Sequence, residues 1–101
     1  MAEKEKKSLK QKLIGKGYEK DVSSDAHSVV GAIYKYGSEA TEEQIINDLL
    51  LKERVSHNSL EGYFLPSKVR TGLRILEEES YVLFDKGKYV LTSLAKNFLD
   101  N

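Results

Sequence analysis

The hydrophobic period of this chain changes at residue 80, and that change constrains the architecture more than any other feature. Before it, Val69, Leu73 and Leu76 recur at three and four residues with Gly72 among them, the spacing of one helix face. After it, two short β-type runs, YVLF at 81–84 and YVLT at 89–92, flank the segment DKGK. Such runs around a Gly-containing turn form a β-hairpin. The chain therefore passes directly from a helix into a hairpin.

Upstream and downstream signals are helical. Ser24 is placed to cap a helix over residues 24–36 whose stripe is Ala26, Val29, Val30, Ile33 and Tyr34, with Gly37 as its left-handed stop. Thr41 and Gln44 form a capping box ahead of Ile45, Ile46, Leu49 and Leu50, which predicts a second helix ending near Lys52. Residues 53–64 break the period and predict a long connection. Pro66 suits a first helical turn, where its missing N–H has no intrahelical partner, so a third helix is expected over residues 66–79. Thr92 can cap a last short helix carrying Leu94, Ala95, Phe98 and Leu99. Residues 1–20, Lys-rich and interrupted by Gly15 and Gly17, are expected to be a mobile, solubilising arm with at most a turn or two of helix around Leu9, Leu13 and Ile14. Residues 21–101 then form one domain.

This order of three helices, a hairpin and a helix, together with the run LRILEEESYVLFDKGKYVLT, resembles the winged helix-turn-helix superfamily, in particular small prokaryotic and archaeal transcription regulators. The resemblance covers residues 24–100. It implies an α+β, mainly helical fold in which the third helix is the recognition helix and residues 82–92 the wing, with residues 38–40 adding a short strand. The connection of a dozen residues departs from the short turn usual in that superfamily.

With Val69, Leu73 and Leu76 inward, a rotation of about 100° per residue places Ser67, Thr71, Arg74 and Glu78 outward, flanked by Lys68 and Arg70. These side chains can donate to phosphates and base edges. Their order runs against the helix dipole, which favours anions at the start and cations at the end, whereas here the cations lead and Glu77, Glu78 and Glu79 follow. Arg70 and Arg74 repel at i,i+4, so local helix energetics do not account for the layout, and an anionic ligand does. Lys86 and Lys88 at the wing tip fit the same ligand. The expected DNA-binding residues are thus Ser67, Lys68, Arg70, Thr71, Arg74, Lys86 and Lys88. The plainer reading of the same cations is a solubilising surface, because sixteen cations balance sixteen anions and overall neutrality is unusual for a tight DNA binder.

The absence of cysteine excludes thiol catalysis, disulfides and cysteine-based zinc sites. No segment has the length and hydrophobicity of a membrane span, so a soluble, cytoplasmic protein without membrane contact is expected. His27 and His57 lack a second ligand at metal-binding spacing, and no nucleophile and base stand at useful spacing. The expectation is therefore no enzyme, no cofactor, no metal and no small-molecule ligand. The partner expected is double-stranded DNA, bound by a small transcriptional regulator that dimerises through residues 1–20 or 93–100. The alternative is a protein-interaction module that docks through the acidic second helix and the patch at 63–65, without nucleic acid.

Overall fold

The structure, a computed structural model, describes residues 8–52 and 59–99. Among these the chain forms α1 (Leu9–Gly15), α2 (Lys20–Lys35), β1 (Glu39–Ala40), α3 (Glu42–Lys52), α4 (Leu60–Glu78), β2 (Val82–Asp85), β3 (Lys88–Leu91) and α5 (Ser93–Lys96). The fold is α+β and mainly helical. Its antiparallel sheet has the order β1-β3-β2, with Ala40 opposite Tyr89 and Val82 opposite Leu91.

Local chemistry explains most element boundaries. Thr41 Oγ1 accepts from the Gln44 N–H at 3.1 Å while Gln44 Oε1 accepts from the Thr41 N–H at 2.9 Å, the reciprocal box expected at the start of α3. A second box, Ser8 with Gln11, opens α1. Gly37 ends α2 at φ 83°, its own N–H donating to the Tyr34 carbonyl and that of Ser38 to the Ile33 carbonyl. The end of α4 repeats this pattern with Ser80 at φ 67°, its N–H bonding to Glu77 O and that of Tyr81 to Leu76 O. In the hairpin, Lys86 and Gly87 both have positive φ, 51° and 81°, between the paired Asp85 and Lys88. That is a two-residue turn whose twist matches the strands. Thr92 Oγ1 donates to Ser80 O at 2.7 Å and accepts from the Ala95 N–H, binding the hairpin exit to the end of α4 as it starts α5.

Three sequence expectations are corrected. The first concerns the arm. Its residues 1–7 lie outside the described residues, but α1 packs against α2 with Leu9 and Leu13 fully buried, so the domain includes this helix. A helix of seven residues is unstable alone. Its burial in the common core, rather than its propensity, orders it.

The second correction is that α2 starts at Lys20, with Ser24 inside it and Glu19 at the cap position without a side-chain cap bond. Ser23 turns into the core through this extension, and Tyr34, placed on the apolar stripe by period, is 49% exposed. The third is the most consequential. α4 begins at Leu60, capped by Ser59, whose Oγ accepts from the Gly62 N–H at 3.0 Å, and Pro66 sits inside the helix. Proline there removes one bond to the residue four before it, Gly62. The turns preceding it are held by the Ser59 cap and by burial of Leu65, which continues the inward stripe four residues before Val69. Residues 53–58 of the expected connection, His57 among them, lie outside the described residues.

The core joins all these elements. α2 and α4 make its most extensive contact, with Ala26, Val29 and Ile33 facing Val69, Leu73 and Leu76. Ile45 and Leu49 of α3, Ala40, Val82 and Leu91 of the sheet, and Ala95 of α5 complete it.

Candidate functional site

Because α2 and the sheet hold the Leu65–Val69–Leu73–Leu76 stripe of α4, the opposite arc faces water. At about 100° per residue that arc carries Leu60, Tyr63, Phe64, Ser67, Thr71, Arg74 and Glu78 in order along the helix. Ser67 and Arg74 are exposed, and Thr71 is half-buried. Leu60 and Tyr63 are 73% and 74% exposed and Phe64 is 50% exposed, the two rings meeting edge to face at 5.3 Å. Placing the helix start at Pro66 hid this. The signal that reveals it in the sequence is Leu65, four residues before Val69 and on the same stripe.

The structure divides the seven expected residues among four places. Ser67, Thr71 and Arg74 share the outward arc. Arg70 lies on the flank facing α3, where its Nε donates to Glu42 Oε2 at 3.1 Å, while its side chain stays 65% exposed. Lys68 lies on the other flank, in a crevice it shares with Asp25 and Ser28 of α2. Lys86 and Lys88 occupy the exposed hairpin tip. Among the described residues Arg74 makes no ion pair, so it is the arginine of the two whose charge is uncommitted.

The flank around Arg70 also holds acids. Burial pushes the Tyr89 phenol up, the carboxylates of Glu77 and Glu42 push it further, and Arg70 opposes them. The Tyr89 ring that feels these charges pairs with Phe84 across the hairpin, ring centroids 4.8 Å apart in a tilted arrangement. An approaching anion meets an Arg70 paired with Glu42 on this side, whereas Arg74, without an ion pair among the described residues, shares its groove with Glu19 and Glu78.

Arg74 and Thr71 also border an open groove of about 450 Å³, closed on its far side by Tyr18, Glu19 and Val22 from the turn between α1 and α2 and the start of α2. Ile75 lines its floor and is buried. Its period fits neither face of α4, and it shares the groove with Tyr18 and Glu19 of the α1–α2 turn.

No protein-family model, curated protein or solved structure matches this chain. The site is therefore read from its own residues. Among the described residues no cluster of His, Asp or Glu is arranged to hold a metal ion, and no helix is long and apolar enough to cross a membrane. Desolvation of its ring, followed by the charges of Lys52 and Lys10, holds the pKa of His27 below its ordinary value.

A clasp that sequence reasoning missed fixes the end of α4. Glu79, its side chain 16% exposed, accepts from Lys16 Nζ at 2.6 Å and from the Tyr18 hydroxyl at 2.8 Å. These bonds, that of Lys16 first, hold the Glu79 carboxyl below its usual range. The hydrogen bond to Glu79, then burial and the Glu79 and Glu78 charges, push the Tyr18 phenol up to about 12. The signs define two pH windows. A lowered carboxyl contributes stability above its unfolded pKa of about 4.3, and loses it as pH falls through the folded value. A raised phenol contributes below its unfolded value of about 10 and loses it on the way to the folded one. Spectrophotometric titration of the protein minus its Tyr18→Phe variant is expected to place this phenol near 12, and Glu79→Ala is expected to return it toward 10. A midpoint near 10 in the unaltered protein contradicts the clasp.

Proposed function

We propose that this chain is a winged helix-turn-helix domain that binds duplex DNA, as a small transcriptional regulator, with α4 in the major groove and the β2–β3 hairpin as the wing. The element order α2-β1-α3-α4-β2-β3 and the strand order β1-β3-β2 support the fold assignment. The observation that carries the function is the outward arc of α4. Ser67, Thr71 and the uncommitted Arg74 stand there, and Arg70 and the Lys86–Lys88 tip lie to the side.

In helix-turn-helix docking, early residues of the recognition helix reach base edges while flanking cations hold phosphates. Arg74 and the tip lysines are suited to phosphates. Arg70 must exchange Glu42 for a phosphate, which reduces its net contribution. Any two-fold contact through the terminal helices uses Leu94 of α5 and Ile14, the exposed apolar residues there, since Leu9 and Leu13 serve the chain's own core.

A titration of mixed-sequence duplex at two salt concentrations tests the reading. Binding is expected to weaken steeply with salt, and Arg70→Ala with Arg74→Ala is expected to bring it near the detection limit and to reduce the salt slope by about two. Of the single variants, Arg74→Ala is expected to be the more damaging. Unchanged binding in the double variant overturns the proposal.

One observation favours a second reading. Leu60, Tyr63 and Phe64 form an apolar surface of the kind that docks proteins; of the expected 63–65 patch, Leu65 is buried in the core and does not belong to it. Salt-insensitive or undetectable DNA binding selects it.

A further inference from the structure

The exposed rings and Arg74 lie on one arc of α4, with Lys68 and Arg70 on its flanks. From Phe64 to Arg74 is ten residues, about 15 Å along the helix, which matches four to five base pairs of duplex. Resting on the DNA-binding reading above, we infer that Tyr63 and Phe64 make this domain selective for thymine-bearing DNA, through apolar contact with the 5-methyl groups that line the major groove.

The position of the rings supports this occupant. α4 starts six residues before Pro66, so the turns that lead into a groove carry Leu60, Tyr63 and Phe64 in place of cations. The major-groove edge of an A·T pair offers a methyl group as its one apolar feature, and aromatic or small apolar side chains pack against it. The Tyr63 hydroxyl can add a bond to a neighbouring base or phosphate. The charge sequence along the arc suits DNA as well. Ser67, Thr71 and Arg74 follow the rings, and the one acid of the arc, Glu78, comes at its far end, where the helix leaves the groove. A protein partner would match the apolar turns, but only one that brings carboxylates of its own would also use Arg74 and the lysines of the tip.

The inference is tested with two duplexes that differ only in the methyl group, alternating dA–dT and alternating dA–dU, so that every register presents the same choice. Burying one methyl is worth about a factor of four, so two contacts are expected to favour the dA–dT duplex about fifteenfold in fluorescence anisotropy at low salt. Tyr63→Ala with Phe64→Ala is expected to bring that ratio near one, with any loss of affinity for dA–dU reporting the contacts that do not depend on the methyl. Equal affinity of the unaltered protein for the two duplexes overturns the thymine contact and leaves DNA binding standing. Failure to bind either duplex overturns the inference, and failure to bind mixed-sequence duplex as well overturns both. A dimer in sedimentation without DNA, dissociated by the same double variant, also overturns the inference, because a second copy then covers the rings.

Discussion

Leu13→Ala is expected to destabilise the domain by about 3 kcal/mol in urea unfolding, within the range of about 2–5 for buried leucines. Leu13 has no exposed surface and, with Leu9, anchors α1 to α2 and the core. Its loss leaves a cavity that the neighbouring helices fill only in part. For a domain of about 5–15 kcal/mol total stability, this is a large fraction. The adjacent Ile14 is 41% exposed, and Ile14→Ala is expected to change stability by about 0.5 kcal/mol or less. The contrast between two neighbouring aliphatic residues is the measurement. Equal, small effects at both positions show that residues 8–17 are the solubilising arm that composition suggests.

Gly72→Leu is expected to cost about as much, for the opposite reason. Gly72 stands where α4 crosses α2, and a Cβ there meets the Ala26 backbone at 3.3 Å from Cα and 3.4 Å from N, and Val29 Cγ2 at 3.4 Å. One carbon is tight, and the helix propensity gained, about 1 kcal/mol, opposes it, so Gly72→Ala is expected to be near neutral. A leucine has no such accommodation. It must push the two helices apart and disturb the packing of Val29, Val69 and Leu73, at about 3 kcal/mol or more. That corresponds to a fall in melting temperature on the order of 15 °C, checked by calorimetry. If Gly72→Leu melts with the unaltered protein, α2 and α4 do not approach as described. The same crossing orients the outward arc of α4, so these variants also separate loss of fold from loss of binding.

The reversed charge order of residues 66–79 has two causes. Part of it is internal: Glu79 serves Lys16 and Tyr18, and Arg70 serves Glu42. Surface pairs of this kind are worth about 0–1 kcal/mol, so they direct packing more than they stabilise it. The remaining cations of this stretch, Lys68 and Arg74, have no ion pair among the described residues and, with Lys86 and Lys88 of the hairpin, are what an external anion can use. An anionic ligand therefore accounts for Arg74 in full and for Arg70 only in part.

What could be read without coordinates was local. The Thr41–Gln44 box, the Gly37 stop, the turn at Lys86 and Gly87, the Thr92 cap and the change of period at residue 80 depend on residues a few positions apart, whose chemistry is legible in order. Proline misled at residue 66, because its preference for a first turn is statistical and the cost of one lost bond is offset when Ser59 caps and Leu65 is buried. The recruitment of α1 to the core, the Glu79 clasp across 61 and 63 residues and the Arg70–Glu42 pair across 28 were decided by tertiary structure alone. Each needs the core to bring together groups far apart in the chain. Nothing in the order of residues says which lysine or arginine a given carboxylate will meet.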